Sequence, residues 1–113
     1  MEFVKLESLD LSDNEIRTLE PLKLPFVKSY GGFRFLTELN LHNNLISDVS
    51  PLAAAPNLEV LNLSNNRIEH ADELATLKRL VHVDLRNNSQ DLKFTLPPPA
   101  VVLTADHGSS VIL

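Results

Sequence analysis

"LTELNLHNNLI", residues 36–46, alternates leucine with polar residues and then closes on two asparagines and an isoleucine. Leu39 and Leu41 are two residues apart, so in an extended chain they share one face, while Glu38, Asn40 and His42 share the other. The stretch reads as a short strand running into a turn. The same form, L-x-x-L-x-L-x-x-N-x-I, recurs in "LESLDLSDNEI" (6–16) and "LEVLNLSNNRI" (58–68), and less completely in "LVHVDLRNNSQ" (80–90). The steps between starts are 30, 22 and 22 residues. Self-similarity at a fixed period marks a repeat architecture, in which each unit buries its apolar face only by stacking on its neighbours.

Working outward from the strands, further apolar columns appear. One holds Leu19, Val49 and Ala71; the next holds Leu22, Leu52 and Leu74; the last holds Phe3, Phe33, Ala55 and Leu77. Their three-residue spacing suits short helical turns on the return side. Pro51 fits a first turn. "DELATLKRL" (72–80) is the most helical stretch, with Asp72 expected as its N-cap. The expected fold is an α/β solenoid: a short right-handed superhelix with a parallel sheet on the concave face and 3₁₀ or α turns outside. It is expected to form one domain over 1–113, with repeats from about 6, 36, 58 and 80, an insertion at 23–32 and a C-terminal cap at 91–113. In that cap, "PPPAVVLTAD" reads as a shortened fifth repeat, with Val101 and Leu103 as the inward pair and Asp106 in place of the asparagine.

The four-fold motif resembles the leucine-rich repeat family over residues 3 to about 90. The 22-residue period and "NLISDVSPL" (44–52) look like the subclass of protein-phosphatase-1 regulatory subunits and internalins. The fourth repeat departs from the pattern, with Ser89 and Gln90 where the isoleucine should begin the return. In that family the concave face commonly binds protein partners, so the resemblance implies a binding module.

Asn14, Asn44, Asn66 and Asn88 form an internal column. A chain that turns so often leaves backbone N–H and C=O groups facing inward, and a side-chain amide supplies donors and acceptors for them. These asparagines are expected to be structural.

The outward positions are the candidate contact residues. They read Ser8, Glu38, Val60 and His82 in the third position of the motif, Asp10, Asn40, Asn62 and Asp84 in the fifth, and Ser12, His42, Ser64 and Arg86 in the seventh. Asp13, Asn43, Asn65 and Asn87 follow in the eighth. A second candidate region is "LKLPFVKSYGGFRF" (22–35), where ten residues separate Leu22 from Phe33 instead of the usual two. It carries four of the six aromatic residues of the chain and no acid. Phe33 continues a core column. Phe26, Lys28, Tyr30, Arg34 and Phe35 are not required by the repeat and are candidates for partner binding. Phe35 stands in a column otherwise polar, with Lys5, Asn57 and Arg79.

Composition narrows the remaining classes. The net charge of −5 argues against a nucleic-acid partner. No apolar run approaches a membrane span, and the acidic, already patterned N-terminus does not read as a secretory signal. With no cysteine, disulfides and thiolate sites are excluded, which fits a cytoplasmic or nuclear setting. No cofactor is expected. His42 is expected one strand from Ser12 and Ser64, a spacing that invites a test for nucleophilic catalysis. Neither an orienting third group nor an oxyanion site accompanies it, so the chain is not expected to be an enzyme. His42 and His82 are too far apart to share a metal ion. "NLS" (62–64) and "NNS" (87–89) match glycosylation sequons that short sequences hold by chance. The expected function is a non-catalytic protein-interaction module, a regulatory or scaffold subunit. The alternatives are a section of a longer or self-associating solenoid, and a bacterial surface or effector binding domain.

Overall fold

A computed structural model of the chain describes residues 6–23, 33–95, 101–104 and 110–112. Each copy of the motif opens on a short strand: β1 (Ser8–Asp10), β2 (Glu38–Asn40), β3 (Val60–Asn62) and β5 (His82–Leu85). They pair in parallel and in strict register, Leu9 beside Leu39, Leu39 beside Leu61, and Leu61 beside Val83. The register follows from the period of two: a slip of one residue would move every leucine from the core to solvent.

The return side is built from 3₁₀ turns, at Glu20–Lys23, Ser50–Ala54 and Asp72–Thr76. Spacing of three suits this tighter helix. Pro51 sits in the first turn of the second, as its fixed φ favours. The third is shorter than the sequence suggests, and Asp72 is not its N-cap. That position belongs to Ala71, which makes no side-chain cap. The Asp72 carboxylate instead accepts the Thr95 hydroxyl at 2.9 Å, tying the return side of the third repeat to the segment after the fourth. Lys23, read from sequence as the start of the insertion, closes the first 3₁₀ turn.

The core runs between sheet and return side. Leu36, Leu41, Ile46, Leu58, Leu61, Leu63, Ile68 and Leu85 are fully enclosed, as are Ala55, Ala71 and Leu74. Phe33 packs against this cluster, so the columns resume after the insertion.

The C-terminal side supplies the fifth parallel strand that the sequence suggests, but by a different route and in a different register. After Asn88 the chain turns on Ser89, whose N–H reaches Ile68 O at 3.1 Å and whose hydroxyl accepts the Asp91 N–H at 3.2 Å. Leu92 and Phe94 then pack against the core, and β6 (Lys93–Phe94) pairs in parallel with β4 (His70–Ala71) in a second small sheet. The chain rejoins the main sheet as β7 (Val101–Thr104), parallel to β5, and ends on β8 (Ser110–Ile112), antiparallel to β7. In β7 it is Val102 that lies beside Val83, while Val101 and Leu103 lie beside His82 and Asp84. Val102, rather than Val101 and Leu103, therefore holds the register of the inward leucines. The sequence alternates too weakly across "AVVL" to choose between the two registers. The main sheet has the order β1-β2-β3-β5-β7-β8.

Candidate interaction surface

The outward positions are brought together by the register. Ser8, Glu38, Val60 and His82 form one row across four strands, and Asp10, Asn40, Asn62 and Asp84 form the next. The rows are not equivalent. Every member of the second is folded onto its own turn: Oδ1 of Asp10, Asn40, Asn62 and Asp84 accepts the N–H two residues on, at 2.9–3.1 Å. This Asx geometry ends each strand by giving the backbone a side-chain acceptor in place of a ladder partner. Hydrogen bonds from the Ser12 hydroxyl, and then from its N–H, hold the Asp10 carboxyl below its ordinary range.

The third row is partly used up as well. Ser64 is buried, and its hydroxyl donates to Asn62 Oδ1 at 2.6 Å. His42 Nδ1 stands 2.6 Å from the same Ser64 oxygen. With the serine proton committed to Asn62, the Ser64 oxygen is left to accept from His42 Nδ1. A general base would need the opposite arrangement, so this chain of bonds orients His42 rather than activating Ser64. Arg86 grips Asp84 with two prongs, Nε to Oδ1 at 3.0 Å and Nη2 to Oδ2 at 2.8 Å. That grip raises the Arg86 pKa further above its ordinary value. Asp84 is itself buried.

By contrast, no hydrogen bond involves the side chains of Ser8, Glu38 or His82 among the described residues, and Val60 is 40% exposed. This first row is the one whose chemistry the fold does not consume. A shallow hollow of about 310 Å³ lies over it, lined by Ser8, Asp10, Glu38, Asn40, Val60 and Asn62.

The asparagine column spans the repeats. Asn44 Nδ2 donates to Leu41 O of its own repeat and Leu11 O of the preceding one, both at 3.0 Å, while its Oδ1 accepts the Ile16 N–H at 3.1 Å. Asn66 bonds Leu63 O, Leu41 O and the Ile46 N–H in the same way, and Asn88 bonds Leu85 O, Leu63 O and the Ile68 N–H. Among the described residues Asn14 bonds only carbonyls of its own turn, Leu11 O and Ser12 O.

The eighth position has a role that the sequence reading missed. Asp13, Asn43, Asn65 and Asn87 have φ between 56° and 59°. In this left-handed region Asn and Asp are the best-tolerated residues after glycine. The signal lies in the sequence, since all four repeats carry Asn or Asp there, but an exposed turn would favour the same residues.

At the insertion, the Arg34 guanidinium lies 5.1 Å from the centre of the Phe35 ring, a cation–π contact. The Arg34 carbonyl accepts a hydrogen bond from the Asn57 side chain. Phe35 is 37% exposed. Phe26, Lys28 and Tyr30 lie outside the described residues, as do Phe3, Asp106 and His107. No group of three or more His, Cys, Asp or Glu among the described residues could hold a metal ion.

Two leucine-rich repeat profiles match the sequence, one over residues 34–89 and a two-copy form over residues 4–54. The chain is a leucine-rich repeat protein. Among solved structures this leucine-rich repeat chain is similar to an internalin (inlF) from Listeria monocytogenes, with a TM-score of 0.62 and 19% identity. That match covers 82% of this chain and 28% of the internalin, so the chain spans less than a third of that protein. The likeness is one of fold. No curated protein matches the sequence. Leucine-rich repeat domains generally mediate protein–protein interaction and are typically not enzymes.

Proposed function

We propose that the protein is a non-catalytic interaction module, a regulatory or scaffold subunit. It would bind a protein partner through the sheet face, with Glu38, Val60 and His82 as first contacts and Arg34 and Phe35 at the rim. The observation that carries this reading is the difference between the outward rows. The fifth- and seventh-position side chains are largely bonded to their own turns or neighbours, while the third-position row makes no side-chain hydrogen bond among the described residues and lies under a shallow hollow. The sheet fixes the backbone of this row, so binding would order only its side chains. In the same proposal the stack coils right-handed, the hand taken by parallel strand–crossover–strand connections, with the sheet on the concave side.

The test compares three immobilised proteins: wild type, a Glu38→Lys/Val60→Arg double variant, and Glu73→Lys on the return side. Proteins retained by wild type and Glu73→Lys, but released by the double variant, are the expected result. Retention of one and the same set by all three would sink the proposal.

A further inference from the structure

A second hollow opens on the sheet face, toward the turns that follow β3 and β5. It holds about 280 Å³ and is lined by His42, Ser64, Asn65, Arg86 and Asn87. Among the described residues no carboxylate lines it. The ladder continues past the strands, with the Asn43 N–H on Ser64 O and the Asn65 N–H on Arg86 O, both at 2.9 Å. His42, Ser64 and Arg86 therefore stay side by side on successive repeats, and Ser64 is the short, buried residue between two long ones.

Each long side chain is held by one part and left open at another. The Ser64 hydroxyl donates to Asn62 Oδ1 and its oxygen accepts from His42 Nδ1, both at 2.6 Å. A neutral imidazole that carries its proton on Nδ1 is an acceptor at Nε2. Asp84, buried, holds Arg86 through Nε and Nη2. Arg86 Nη1 is left as a donor without a partner among the described residues. Asn65 adds a side-chain oxygen that no donor among them reaches. The hollow thus carries an unmet donor on the fourth repeat and unmet acceptors on the second and third.

We propose that this hollow seats the side-chain carboxamide of a glutamine on the protein partner, resting on the reading of the sheet face as a binding surface. A carboxamide has one acceptor oxygen and two donor hydrogens. Its oxygen meets Arg86 Nη1, and its NH₂ meets His42 Nε2. A carboxylate offers acceptors only, so it leaves the imidazole nitrogen without a donor. Charge points the same way. Arg86 is already paired with Asp84, and the chain carries −5 overall, so a further anion gains little attraction. Size assigns the seat to a residue of a larger partner, because cavities that enclose a whole small ligand start at about 300 Å³. Glutamine reaches further than asparagine toward a floor set between two long side chains.

The probe is glutamine blocked at both ends, as its N-acetyl N-methylamide, titrated into isotope-labelled protein and followed by NMR at the Arg86 guanidinium, the His42 ring and the Asn65 and Asn87 amides. Controls are the glutamate and norleucine counterparts. The variants are His42→Phe, which keeps a ring and loses both nitrogens, Arg86→Met, which loses the donor, and Glu38→Lys/Val60→Arg from the first row. Wild type is expected to show saturable shifts with the glutamine probe and with neither control, unchanged in high salt because no net charge is paired. His42→Phe and Arg86→Met should each weaken binding about fivefold or more, as the loss of one hydrogen bond implies. If Arg86→Met fails to fold with Asp84 left unpaired, His42→Phe decides. Glu38→Lys/Val60→Arg should bind the probe as wild type does, so failure of this seat and failure of the first-row reading, which the capture assay reports, are separate results. Absence of saturable shifts in wild type would overturn the inference. So would glutamate or norleucine bound as tightly as glutamine, or an affinity that His42→Phe leaves intact.

Discussion

The first and third repeats carry the same motif, with leucines at corresponding positions, and reach different states. Leu58, Leu61 and Leu63 are fully buried, whereas Leu6 is 38% exposed and Leu9 and Leu11 are half-buried. Among the described residues Asn66 bonds backbone groups of two repeats, and Asn14 bonds one turn only. The residues are alike and the neighbours are not. In a stack, most of a repeat's stability lies in the interfaces on its two sides, so position in the array outweighs the motif itself.

The widest gap between the two repeats is expected in the core. Leu61→Ala should lower unfolding stability by about 3–4 kcal/mol through lost burial and an unfilled cavity, and Leu6→Ala by less than about 1 kcal/mol. Urea unfolding followed by circular dichroism checks both, and equal costs would break the comparison. Next come the asparagines. Asn66→Ala should cost about 2–3 kcal/mol because buried carbonyls and the Ile46 N–H lose their partner, while Asn14→Ala should cost about 0.5 kcal/mol or less. The same titrations decide it.

A third pair sharpens the comparison by removing the difference. Asp13 and Asn65 share left-handed backbone, with φ of 59° and 56°. That demand is local and ignores neighbours, so Asp13→Val and Asn65→Val should each cost about 1–2 kcal/mol. Asn65→Gly should fall within about 0.5 kcal/mol of wild type, since it also removes a buried side-chain oxygen that has no partner. The smallest effect concerns pH at β1. Asp10 is held below its ordinary range by the Ser12 hydroxyl and N–H. A depressed folded pKa contributes stability above the unfolded value, and that contribution is lost as pH falls through the folded value. Thermal melts between pH 6 and pH 2 should show slightly less acid destabilisation in Asp10→Asn than in wild type.

Much of this fold could be read in the sequence because the motif repeats. A single alternation such as that in residues 36–42 is weak, but four at set steps leave one consistent reading. The inner columns, the 3₁₀ spacing and the return of Phe33 to the core after the insertion all follow from that repetition. The cap was less legible. Residues 99–103 are nearly all apolar, so alternation does not select between Val102 and the pair Val101 and Leu103, and only pairing with β5 sets Val102 beside Val83. Asp72 offered good capping chemistry at the start of the third 3₁₀ turn, yet the Thr95 hydroxyl holds it. A partner 23 residues away in the chain leaves no trace in local sequence.

The candidate surface divides along the same line. Its outward residues could be named from alternation alone. Which of them stay free could not, because hydrogen bonds such as Ser64 to Asn62 and His42 to Ser64 depend on how turns and neighbouring strands meet. The sequence by itself determined the repeat, its period and the face each side chain takes, since these follow from a local alternation of apolar and polar residues. Only the tertiary structure decided which asparagines bridge two repeats and which outward row remains unbonded among the described residues. Each of these depends on what lies one strand away, and that distance is set by stacking rather than by sequence spacing.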